Sequence, residues 1–92
     1  MPSDKSQTNH IFGDRPGHVP DTQANRNLLE NIANNKSNYL GVDLFGNQVY
    51  SQMQSNGSQI WVYVRNGVIQ NGGMNVGDAI RIWVEGKGLI LP

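Results

Sequence analysis

Three features of the 92-residue sequence predict an α+β fold, with an N-terminal arm and one main helix packed on a four- to five-stranded antiparallel sheet. Apolar residues recur at helical spacing over one segment, about 22 to 35. From Tyr39 onward the period changes to two, as it does in half-buried strands. Asn-Gly and Gly-Gly steps punctuate this second part at regular intervals, which is the pattern of successive hairpins. A chain this short holds one domain, and with 37% apolar residues its core is thin.

Residues 1 to 9 are polar and aperiodic and read as a flexible lead-in before a single domain over 10–92. Residues 10 to 20 are broken by Gly13, Pro16, Gly17 and Pro20, so they form an ordered loop at most. Asp21 or Thr22 then caps the helix, because either side-chain oxygen can accept from a free amide of the first turn. Ala24, Leu28, Leu29, Ile32 and Ala33 make its apolar face. Asn34 and Asn35 end it through the left-handed conformation that asparagine tolerates, with Lys36 complementing the carboxyl end.

A two-residue turn at Asn56-Gly57 pairs Met53 with Ile60, Ser51 with Val62 and Val49 with Val64, and on the other face Gln52 with Trp61, Tyr50 with Tyr63 and Gln48 with Arg65. A second turn at Asn66-Gly67 pairs Val64 with Ile69 and Tyr63 with Gln70. Ala79 to Glu85 supplies the last strand of the meander. One face is therefore aliphatic: Val49, Met53, Ile60, Val62, Val64, Ile69, Ile80, Ile82 and Val84, packed on Leu28, Leu29 and Ile32. The other carries Tyr50, Trp61, Tyr63 and Trp83 among Gln48, Gln52, Arg65, Gln70, Arg81 and Glu85. That mixture suits a polar, flat ligand better than a second dry core. Aromatic rings that stack bases, beside guanidinium groups for phosphates, hold single-stranded nucleic acid without high net charge. An equally open reading has the 10–20 arm folding over the rings as a lid.

Seven basic and seven acidic residues leave no net charge and no basic half. Binding to nucleic acid through bulk electrostatic attraction is thereby disfavoured, while a local site with two or three arginines is not. The absence of cysteine removes disulfides, thiolate nucleophiles and zinc knuckles. No apolar run approaches the roughly 18 residues of a membrane span, and the first residues carry no hydrophobic signal region.

Both histidines, His10 and His18, fall in a nine-residue span with Asp14 and Arg15. Histidine alone among side chains has an unperturbed pKa near neutrality, so the cluster points to acid-base chemistry. The plainer alternatives are that His10 opens a short edge strand anchored by Ile11 and Phe12, that Asp14 and Arg15 form a solvated pair, and that Arg65 is an exposed turn residue. His10, Asp14, His18 and Asp21 match no compact metal-ligand spacing, and neither a metal nor another cofactor is expected.

His10-Ile11-Phe12, Gly17-His18, Asp21-Thr22, Asn25-Arg26, Leu28-Leu29, Gly41-x-Asp43, Gly46-Asn47 and the run from Gln59-Ile60-Trp61 to Arg65-Asn66-Gly67 together carry a likeness to known proteins. Over residues 10 to 75 the chain resembles C-terminal toxin domains of bacterial polymorphic and contact-dependent growth inhibition systems. Its order of parts resembles the barnase/EndoU/colicin/RelE ribonuclease group. The resemblance implies a metal-independent endoribonuclease acting on tRNA or other cellular RNA by 2′-hydroxyl transesterification. It implies His10 and His18 as acid and base in either order, Arg65 and Arg81, with Arg15, at the phosphate, and Trp61, Tyr63, Trp83 and Tyr50 against the bases. It also implies a monomeric domain delivered from a larger secreted or surface effector, acting in the target-cell cytoplasm and neutralised by a cognate immunity protein. A non-catalytic protein- or carbohydrate-binding module, and a toxin of other chemistry, are the alternatives.

Overall fold

The computed structural model describes residues 1–84 and 89–91, and the side chains of residues 1–81. Helices α1 (Lys5–Ile11) and α2 (Gln23–Ala33) precede strands β1 (Tyr39–Val42), β2 (Gln48–Met53), β3 (Gln59–Arg65) and β4 (Val68–Asn75). These four strands form an antiparallel sheet in sequence order, so the fold is α+β with both helices on an open sheet. Strands β5 (Ile82–Val84) and β6 (Leu89–Leu91) pair with each other in a separate two-stranded sheet, so among the described residues the main sheet has four strands, the lower of the two numbers expected, and the run beginning at Ala79 stands apart from it. The faces expected for Ile82, Val84 and Glu85 lie outside the described residues.

Helix α2 forms where its apolar spacing predicts. Thr22 is the cap, its hydroxyl accepting from Asn25 N at 3.1 Å, while Asp21 turns instead to Arg26. Asn34 ends the helix in the right-handed region (φ −84°, ψ −5°), not the left-handed one, and Asn35 caps a short 3-10 turn over Lys36–Asn38. Leu29 and Ile32 are buried against Ile60, Val62, Val64 and Ile69 of the sheet, with Ile11, Phe12 and Val19 of the N-terminal arm completing the core. Burial of each such side chain contributes roughly 1.5–3 kcal/mol. Gly72 faces Leu29 so closely that a Cβ there would lie 3.0 Å from its Cδ1, which lets the helix approach the sheet.

The lead-in expected to be flexible over 1–9 is helical in its second half. Asp4 caps α1 by accepting from Ser6 N at 3.1 Å, and Thr8 and Ile11 bury one narrow stripe. Gln7 Nε2 donates to Gln70 O at 3.2 Å and ties the helix to β4. His10 therefore sits in the last turn of a helix and not on an edge strand.

The β2–β3 turn and a bulge between β3 and β4 set the faces of β2 and β4. At the β2–β3 turn, Gln54 N donates to Ser58 O and Gly57 N to Gln54 O, leaving a three-residue loop with Gly57 at φ +86°. A two-residue turn of the expected kind needs positive φ at both central residues. Asn66 and Gly67 provide it (+54° and +75°), but Asn56 does not. The extra loop residue slips β2 by one position, so Val49 pairs with Tyr63, Tyr50 with Val62 and Met53 with Gln59. The expected placements of Val49 and Met53 with the aliphatic set, and of Tyr50, Gln48 and Gln52 opposite it, are thus reversed. Val64 pairs with Ile69 as expected, but a bulge between Tyr63 and Val64 makes Gln70 the extra residue and brings Asn71 opposite Tyr63. Asn71, Gly73 and Asn75 consequently share the face of Tyr63, Trp61 and Gln59.

Candidate active site

The segment joining the helices is built around a turn. Arg15-Pro16-Gly17-His18 has proline at its second position and glycine with φ +81° at its third, and His18 N donates to Arg15 O at 3.1 Å, the pattern of a type II turn. Gly13 N to Val19 O (2.9 Å) closes the loop around it. Gly17 O accepts from Met74 N at 3.1 Å, which docks the loop on the outer edge of β4. This brings His18 beside Trp61, with ring centroids 5.7 Å apart and planes at 75°.

His18 Nδ1 lies 2.8 Å from Ile11 O. A carbonyl can only accept, so Nδ1 carries a proton and Nε2 is the ring nitrogen left for chemistry. His18 lines a cleft of about 300 Å³ together with Trp61, Asn71, Asn75 and Arg81. Arg81 is held there through its backbone: the buried Gln59 amide donates to Arg81 O at 2.6 Å and accepts from Arg81 N at 2.9 Å. Its guanidinium stands 6.0 Å from the Trp61 ring.

A second cleft, of about 580 Å³, adjoins the first and is lined by His10, Tyr63, Arg65, Gln70 and Asn71 with the Asp43–Asn47 turn. Arg65 reaches Phe45 O at 3.3 Å and Gln70 Oε1 at 3.4 Å, both neutral acceptors. The Asp43 carboxylate accepts from Phe45 N, Asn47 N and Asn47 Nδ2, so it builds the turn. That turn presents Leu44 and Phe45 to solvent, 77% and 78% exposed.

Asn71 lines both clefts, and a histidine-arginine pair lies on each side of it: His18 with Arg81, and His10 with Arg65. The other expected site residues are placed differently. Arg15 donates to Asn9 O (3.1 Å) and His10 O (2.6 Å), closing the C-terminus of α1, where a cation satisfies the last carbonyls. Tyr50 packs on the helix side of the sheet, its ring 5.5 Å from that of Tyr39. Trp61 is buried, its ring against those of Tyr63 (5.2 Å) and His18, so it offers no open platform for a base. The backbone of Trp83 pairs with Ile90, and its ring lies outside the described residues.

Asn71, Asn75 and Gln59 are site residues that strand alternation alone misplaces or leaves unremarked; the Tyr63/Val64 bulge is what brings the two asparagines to this face. Among the described residues no group of three or more His, Cys, Asp or Glu side chains comes together, so His10, Asp14, His18 and Asp21 do not assemble as a ligand set. Among those residues, too, no helix is long and apolar enough to cross a membrane. No protein-family model, curated protein or solved structure matches the chain.

Proposed function

We propose that this chain is a bacterial toxin domain that cleaves RNA by metal-independent transesterification. The observation that carries the reading is the pair of histidine-arginine sets flanking Asn71 in two adjoining clefts. A strand laid across both clefts puts its scissile phosphate over Asn71. One histidine takes the proton of the ribose 2′-hydroxyl, and the oxygen attacks phosphorus. The bond from phosphorus to the 5′-oxygen breaks as the other histidine gives that oxygen a proton, leaving a cyclic phosphate and a 5′-hydroxyl. Arg81 and Arg65 stabilise the charge that develops on the phosphorane. The protonated Nδ1 of His18, held on Ile11 O, supports its half of this exchange.

Incubation of the domain with total RNA in EDTA tests the reading. Cleavage by the wild-type chain and its loss in His18→Ala and His10→Ala support it; intact RNA with the wild-type chain, or cleavage by both variants equal to that of the wild type, rejects it.

The exposed Leu44 and Phe45, on a turn hydrogen-bonded to the Asp43 carboxylate at the rim of the larger cleft, favour a protein partner at the same place. In the toxin reading this partner is the cognate immunity protein, which blocks the cleft, and the domain reaches the target-cell cytoplasm as part of a larger effector. In the binding-module reading the partner is the whole function, and expression in a bacterial cytoplasm without the partner leaves growth unaffected.

A further inference from the structure

We infer that the ridge between the two clefts is an anion site whose central donor is the side-chain amide of Asn71. The bulge at Tyr63 brings Asn71 to the outer face of the sheet, where its side chain lines both clefts. Gly72 N donates to Asn71 Oδ1 at 2.9 Å. A backbone N–H can only donate, so this contact fixes which end of the amide is oxygen and turns Nδ2, with its two hydrogens, away from the strand. That nitrogen is open to a ligand. Asn71 is half-buried, and the enclosed side-chain atoms without partners among the described residues are Asn47 Oδ1 and Trp61 Nε1, not Asn71 Nδ2.

The surroundings set the sign of that ligand. Arg81 borders the smaller cleft and Arg65 the larger, and neither guanidinium forms an ion pair among the described residues. Among those residues no carboxylate lines the smaller cleft, and the one that lines the larger, Asp43, is engaged by Phe45 N, Asn47 N and Asn47 Nδ2. An amide donor between two unpaired guanidinium groups selects an anion, and the planar guanidinium suits phosphate. A donor aimed at a non-bridging phosphate oxygen strengthens as that oxygen gains charge, so in a cleavage reaction its contribution falls on kcat. Assigning the anion to the scissile phosphodiester of RNA rests on the ribonuclease reading, whereas the anion site does not.

The test follows the side-chain amide pair of Asn71 in ¹⁵N-labelled full-length chain, assigned by its loss in Asn71→Asp, during titration with inorganic phosphate and with a 2′-deoxy dinucleotide that cannot be cleaved. Both probes should shift that pair, the dinucleotide at lower concentration. Asn71→Asp keeps an oxygen to accept from Gly72 N and puts negative charge where the donor stood. It should fold as the wild type does, bind the dinucleotide at least about tenfold more weakly, and cleave RNA with kcat lowered about 10²–10³-fold. A pair that neither probe moves in the wild-type chain, or unchanged dinucleotide binding by Asn71→Asp, overturns the inference. A response to phosphate with none to the dinucleotide overturns its assignment to a phosphodiester. A shifted Asn71 pair together with RNA left intact by the wild-type chain keeps the anion site and rejects the ribonuclease reading instead; cleaved RNA with an unmoved pair does the reverse.

Discussion

Gly73 lies directly beneath the carbonyl of Gly17, in a contact too close for any Cβ. The His18 loop therefore depends on the absence of a side chain on β4. Gly73→Ala should push the loop off the strand and cost about 1–3 kcal/mol, as overpacking does, with loss of RNA cleavage. Gly57→Ala is the control. Its Cβ would meet nothing within 4 Å, but φ is +86°; a loss of about 1 kcal/mol is expected from the left-handed backbone, with cleavage per folded molecule unchanged. Urea denaturation and a cleavage assay on the same samples separate the two.

His18→Asn should divide the structural from the chemical part of this side chain. The asparagine amide can still donate to Ile11 O but has no second ring nitrogen. Stability should stay near that of the wild type while cleavage falls about 10²–10⁴-fold, the usual worth of a positioned general acid or base. A variant that cleaves normally would show that Nε2 does no proton transfer.

Gln59→Met should disturb Arg81 without touching it directly in sequence. The replacement keeps the buried volume but removes both hydrogen bonds to the Arg81 backbone. A stability loss of about 1–3 kcal/mol is expected for the groups left unpaired, together with a raised KM for RNA. In an Arg81→Ala background the KM effect should vanish, since the two residues act through one group. Additive effects would mean that Gln59 serves only the fold.

The Asp21–Arg26 pair gives a pH dependence. The hydrogen bonds from Arg26, at 2.6 and 2.7 Å, lower the carboxyl pKa of Asp21 more than its slight desolvation raises it, and the guanidinium charge adds to the lowering. A folded value below the unfolded one stabilises the fold above the unfolded carboxyl range, about pH 4, and this contribution disappears as pH falls through the lower folded value. Asp21→Asn should thus be less stable than the wild type at neutral pH, and the difference should close toward pH 2. Denaturation midpoints at the two pH values measure it.

If an immunity protein docks at this turn as proposed, Leu44→Ala and Phe45→Ala should weaken its binding by upwards of about 1 kcal/mol each, as apolar anchors do when truncated. Calorimetry with the product of an adjoining small reading frame is the measurement. Unchanged affinity in both variants would place the partner on another surface.

Much of this architecture follows from local pattern. Helix α2 declares itself by Leu28, Leu29 and Ile32 and by the Thr22 cap, and Asn66-Gly67 makes the two-residue turn its residues favour. Helix α1 is hidden because its buried stripe is only Thr8 and Ile11, too narrow to give a period, and because Gln7 is fixed by a partner 63 residues away. The faces of β2 are hidden for a different reason. Asn56-Gly57 and Asn66-Gly67 are the same dipeptide, yet only the second takes positive φ at both residues, and the resulting one-residue slip reverses every side chain on β2. The histidine cluster was legible as candidate chemistry, but its division between two clefts was not, because it depends on α1 and on the bulge at Tyr63.

The docking of Gly17 on Met74 also bears on how the protein behaves in concentrated solution. Strand β4 is a sheet edge, and an uncovered edge is a template for pairing with another chain. The His18 loop and Gln7 of α1 occupy hydrogen-bonding positions along that edge, at Met74 N and Gln70 O. Loosening the loop therefore bares a sticky margin as well as displacing a histidine. In the ribonuclease reading, variants that lose activity through this segment should also be the ones that precipitate, because the same few backbone atoms seat His18 and cover the edge.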